Sequence, residues 1–136
     1  MGDNLPTLIK DCKGMETLEE LRLVNVGLNL VKISSLRNLN SHKKLLILDI
    51  SNNQLTSMTE IADLLNKNQV ITEINLSGNT ITTTDDFTEL LCGMLDNMSV
   101  TKLSYEISPA ILPNDKNPLA IQEDNLASFE DQLKIN

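Results

Sequence analysis

The chain has 136 residues, 40% of them hydrophobic and only three aromatic (Phe87, Tyr105 and Phe129), which supplies one core, argues against two and excludes global disorder. Eleven basic and nineteen acidic side chains give a net charge of −8, and this excludes a nucleic-acid backbone as the main partner, because phosphate binding needs a basic surface. The charge is uneven: residues 1–44 sum to +2 and residues 45–136 to −10.

In chain order, the first expected element is a capping helix within residues 1–17. Leu5, Leu8, Ile9 and Cys12 follow the i, i+3, i+4, i+7 spacing, and Gly14 supplies a stop. The first ten residues lack a basic and an apolar stretch in sequence, which predicts no secretory leader. Pro6 occupies the position where a myristoylation pattern needs Ser or Thr. No apolar run reaches the ~18 residues of a membrane span. The expected compartment is therefore the cytoplasm or nucleus, and Cys12 and Cys92 read as buried thiols rather than a disulfide.

From residue 18 the chain repeats itself. LEELRLVNVGL, LLILDISNNQL, ITEINLSGNTI and VTKLSYEISPA, starting at Leu18, Leu45, Ile71 and Val100, align on L-x-x-L-x-L-x-x-N-x-L. The central x-L-x-L-x of each unit predicts a short strand whose alternate side chains face opposite ways. Leu21 and Leu23, Leu48 and Ile50, Ile74 and Leu76, and Leu103 and Tyr105 are then expected inward. Asn53 and Asn79, at position nine, are expected to turn the chain and satisfy free backbone groups, including those of the next coil. Val26 and Ser108 replace that Asn in the terminal units.

Between the strands, residues 58–65 and 85–95 place apolar side chains on one helical stripe: Met58, Ile61, Ala62, Leu64 and Leu65, then Phe87, Leu90, Leu91, Met94 and Leu95. Thr84 is the expected N-cap of the second, followed by Asp85 and Asp86. Residues 29–44 read as a helix or 3₁₀ turns. Residues 107–136 read as an irregular Pro-rich segment and then an acidic helix from Asn117-Pro118. Leu119, Leu126, Phe129 and Leu133 form its stripe, and the helix either docks as a cap or projects as a tail.

This spacing identifies the chain with the leucine-rich-repeat superfamily, and the long 26–29-residue repeats resemble the ribonuclease-inhibitor style. The expected fold is a short α/β solenoid, right-handed, with a parallel concave sheet of about four strands, convex helices and helical caps. Residues 60–81 and 87–105 also resemble helix–strand units of the tropomodulin family, which implies an actin pointed-end regulator. The LxLSNN and LxLSGN blocks are similar, too, to repeats of mRNA export factors and of acidic nuclear phosphoproteins.

Chemistry has little to stand on. His42 is the sole histidine, so no Ser-His-Asp triad or histidine-rich zinc site can be assembled. There is no phosphate-cradling G-x-x-x-x-G-K, and a hydrolase on this scaffold would need an acid pair that no motif marks. The expectation is a non-enzyme with no cofactor, metal, membrane, nucleic-acid or small-molecule partner. It reads as an adaptor or assembly subunit that binds protein through the concave sheet, with a tropomodulin-like actin regulator as the alternative. Three lanes would form that face: Glu20, Ile47, Glu73 and Lys102; Arg22, Asp49, Asn75 and Ser104; and Val24, Ser51, Ser77 and Glu106.

Overall fold

The computed structural model of the protein describes residues 18–27, 43–55, 57–113 and 120–136. The expected N-terminal capping helix, the first connector up to residue 42, Cys12, His42 and residues 117–119 lie outside them. Four three-residue strands, β1 (Glu20–Arg22), β2 (Ile47–Asp49), β3 (Glu73–Asn75) and β4 (Lys102–Ser104), form one parallel sheet in chain order. Glu20 pairs with Ile47, Ile47 with Glu73 and Glu73 with Lys102. The repeat offsets of the sequence are thus the strand register of the sheet.

Each strand buries its central side chain, Leu21, Leu48, Ile74 or Leu103, and the next apolar residue, Leu23, Ile50 or Leu76, follows it inside. Helices α1 (Thr59–Lys67) and α2 (Thr84–Leu95) close the core from the other side, with Ile61, Leu64 and Leu65 and then Phe87, Leu90, Leu91 and Met94 turned inward. Such burial is the main term holding small coils together, roughly 25 cal/mol for each Å² of apolar surface removed from water.

The turn after each strand has a backbone requirement beyond the asparagine. Position eight of the template is left-handed in three coils: Asn25 (φ 52°), Asn52 (φ 58°) and Gly78 (φ 78°). Asn and Gly are the residues that tolerate this region. The fourth coil has Ile107 there, for which that conformation is costly. It instead forms a parallel bridge with Ile81, and the chain passes into a 3₁₀ turn at Pro109–Ile111.

The last helix, α3, runs from Glu123 to Ile135, not from Asn117-Pro118. Ala120 and Ile121 are buried without being helical. The Ile121 N–H donates to the Ile111 carbonyl at 2.8 Å, and helical bonding begins only at the Gln122 carbonyl. Phe129 is fully buried, tilted 5.3 Å from Phe87 and edge-on 5.1 Å from Tyr105. All three aromatic side chains thus meet where α3 packs, at spacings that favour offset or T-shaped contact. Burial, and secondarily the charge of Glu130, pushes the Tyr105 hydroxyl above its ordinary pKa.

Three local expectations are corrected. The N-cap of α2 is Thr83, whose extended backbone lets its hydroxyl accept from Asp86 N–H at 3.1 Å, while Thr84 is already helical. Cys92 is exposed, because it falls off the stripe made by Phe87, Leu90, Leu91 and Met94. Leu95, at the end of α2, is exposed as well.

Candidate functional site

The three lanes assemble as rows across the sheet, but they are not uniformly open. Glu20, Arg22, Val24, Lys102 and Glu106 are exposed, and Ile47, Glu73, Asn75, Ser77 and Ser104 are half-buried. Asp49 and Ser51 are each only 6% exposed, which removes both from the freely accessible set. Strand alternation correctly turns Asp49 away from the core, yet its carboxylate folds back to accept from Ser51 N–H at 3.0 Å. Asn75 does the same for Ser77 N–H at 2.9 Å. A short acid or amide at this position closes the end of the strand.

Charges on this face pair sideways. Arg22 bridges Glu20 on its own strand and Asp49 on the next, with Nη1 donating to Asp49 Oδ2 at 2.9 Å. Lys102 meets Glu73 at 2.9 Å across β3 and β4. Glu106 accepts from Gly78 N–H at 3.2 Å. Burial alone would raise the Asp49 pKa. The Ser51 hydroxyl and N–H, and then Arg22, outweigh that and hold the carboxyl below its ordinary value. The Asp49 hydrogen bond in turn leads in raising the Arg22 pKa.

Asn53 and Asn79 act as expected of turn asparagines, with one correction of direction. Asn79 Oδ1 accepts from Asn53 N–H and Leu55 N–H at 3.0 and 3.1 Å, and its Nδ2 donates to the Ile50 and Leu76 carbonyls. Asn53 Oδ1 likewise accepts from Val26 N–H at 3.0 Å, and its Nδ2 donates to the Leu23 carbonyl. Each asparagine therefore serves its own turn and the preceding coil. The reason lies in the parallel ladder: Asn25 and Asn52 N–H donate forward to the Ser51 and Ser77 carbonyls. Just beyond them, the acceptor must come from the following coil.

A second asparagine pair was not singled out from the sequence. Asn68 and Asn97, each three residues before a template start, are buried at the opposite corner. Asn68 Oδ1 accepts from Val70 and Ile71 N–H, and Asn97 Oδ1 from Ser99 and Val100 N–H. Asn97 Nδ2 also donates to the Leu65 and Asn68 carbonyls. The visible signal is N-x-x before the repeat, in NQVI and NMSV.

Among the described residues, no group of three or more His, Cys, Asp or Glu side chains is placed to hold a metal ion, and no helix is long and apolar enough to cross a membrane. The arrangement is a polar, laterally paired sheet surface on a rigid repeat.

No protein-family model matches the sequence, and no curated protein does. Solved structures do match. A structure of leiomodin-1 actin-binding site 2 is similar over all of this chain and 74% of its own, with a TM-score of 0.69 at 18% identity. A tropomodulin C-terminal domain from Caenorhabditis elegans is similar over 98% of this chain and 92% of its own, with a TM-score of 0.53 at 11% identity. The strand and helix order described above is the fold of these tropomodulin and leiomodin domains.

Proposed function

We propose that the chain is a non-catalytic, leucine-rich-repeat protein-binding module whose partner is actin, as in a tropomodulin-like filament regulator, rather than a general adaptor. The observation that carries this reading is the likeness of the whole chain to a domain described as an actin-binding site. The tropomodulin resemblance of residues 60–81 and 87–105 points to the same reading. The sheet face supplies a contact surface of mixed polarity on the scale of a standard patch, ~800 Å² per partner. Such a partner puts the protein in the cytoplasm or nucleus.

The test is pyrene-actin elongation from filaments whose barbed ends are blocked, with co-sedimentation alongside. The reading expects slowed pointed-end elongation or co-sedimentation that depends on protein concentration. It is sharpened by a Val24→Arg/Lys102→Ala variant, which alters two exposed positions at opposite ends of the sheet face and should weaken the effect. Unchanged elongation and no co-sedimentation at tens of micromolar protein, the range expected of weak encounters, would remove actin as the partner.

A further inference from the structure

On the helical side of the molecule, α1 and α2 come so close that the groove between them has almost no side-chain bulk at its floor. A β-carbon on Gly93 would stand 2.6 Å from the Ala62 carbonyl oxygen, so the approach requires glycine. The groove encloses about 350 Å³, and Ala62, Gly93 and the exposed Cys92 are among its lining. Glu89 and Asp96 mark its two ends, both exposed. Seven residues apart on α2, they lie two turns, or ~10 Å, apart on one face.

Both acids keep their charge uncompensated by their α1 neighbours. Glu89 accepts from the Thr59 hydroxyl at 2.6 Å and Asp96 from Asn66 Nδ2 at 2.8 Å, and both donors are neutral. Asp96 is also the C-cap of α2, whose last turn holds no basic residue. A helix C-terminus favours a cation, and α1 and α3 obey that rule with Lys67 and Lys134. The chain thus puts an acid where its own helix calls for a base.

We propose that this groove seats a basic amphipathic helix of a partner protein. Two Arg or Lys side chains seven residues apart would reach Glu89 and Asp96, with a small or aliphatic residue between them over Ala62 and Gly93. The apolar floor suits the alkyl stems and the acids suit the cationic heads. A second copy of this chain does not offer that pattern from its described helices, since α1 and α3 carry one Lys each and α2 carries none. The surface is separate from the sheet face and does not depend on the actin reading.

The probe is a labelled alanine-rich helical peptide with two arginines seven residues apart and a leucine between them; its control has glutamines for the arginines. Binding is read by fluorescence anisotropy, and its location by the rate at which iodoacetamide alkylates Cys92, followed by mass spectrometry. The arginine peptide should bind, and it should slow Cys92 alkylation. Glu89→Gln/Asp96→Asn, which keeps acceptors for Thr59 and Asn66, should weaken binding by about five-fold. Glu123→Gln/Asp124→Asn on α3 changes the net charge equally and should leave binding intact. Equal losses in both variants, binding without protection of Cys92, or no binding at all would overturn the proposal. So would alkylation that slows with the protein's own concentration, because the occupant would then be a second copy.

Discussion

The buried asparagines at the corners of the coil and the charged pairs on the sheet face are built from similar polar groups, yet they answer to different physics. At the corners, Asn53, Asn79, Asn68 and Asn97 are buried and every bond they make replaces water that cannot reach the backbone. On the sheet, Arg22, Glu20 and Lys102 are exposed, and water competes for each ion pair. A lost bond at a corner leaves an amide stranded, at ~1–3 kcal/mol for each unsatisfied group. A lost pair on the sheet simply rehydrates. The corners therefore specify the coil, while the exposed charged pairs of the face can vary in sequence at little cost to the fold.

The largest effect should follow from Asn79→Leu. The substitution keeps the approximate volume but removes the Asn79 Oδ1 to which the Asn53 and Leu55 N–H groups donate. The expected loss is about 3 kcal/mol in a urea melt. Asn97→Leu should cost a similar amount, stranding Ser99 and Val100 N–H. It should also loosen the end of α3, because Asn136 Nδ2 bonds to the Val100 carbonyl at 2.9 Å and Gln132 to the Asn97 carbonyl. Amide exchange in residues 126–136 separates the two variants: faster in Asn97→Leu, unchanged in Asn79→Leu. Equal exchange in both would mean that the α3 packing rests on Phe129 alone.

The same contrast explains how much could be read in advance. Strand register, inward side chains and the Asn53 and Asn79 turns follow from apolar spacing and one polar position, because burial and period-two alternation act locally. The burial of Asp49 and Ser51 is not legible in the sequence, because alternation says which face a side chain leaves from, not where its oxygens finish. Position eight carried a legible signal in Asn25, Asn52 and Gly78, but only a backbone dihedral gives it meaning. Asn68 and Asn97 lie just outside the template and so outside the alignment frame. The acidic groove was beyond reach, since it depends on Gly93 meeting Ala62 across 31 residues of chain. Its ends, Glu89 and Asp96, look on paper like any solvated helix face.

Asp49 lies between the two classes, buried like a corner residue and charged like a face residue, so its effect should be intermediate. Its carboxyl is held below the ordinary value when folded. The sign follows: the charged form contributes stability above the unfolded value near pH 4, and that contribution is lost as pH falls through the lower folded value. Asp49→Asn keeps an acceptor for Ser51 N–H, as Asn75 shows for Ser77, but loses the charge that Arg22 meets. Stability at neutral pH should drop by about 1 kcal/mol, and the difference from the unmodified protein should shrink as melts are repeated from pH 6 down to pH 3. A constant difference over that range would mean that geometry, not charge, holds this position.

The smallest effect belongs to Lys102. Its pair with Glu73 is short, but Lys102 is 70% exposed and must give up side-chain freedom to hold one geometry. Lys102→Ala should shift stability by no more than about 0.5 kcal/mol, and 0.5 M salt should erase even that. A loss that persisted in high salt would show Lys102 packing its stem against the sheet rather than pairing through its charge. In that event the substitution would perturb the fold, and its effect on actin could no longer be read as a change of surface. A silent Lys102→Ala, by contrast, makes any change it causes in filament elongation a statement about binding alone.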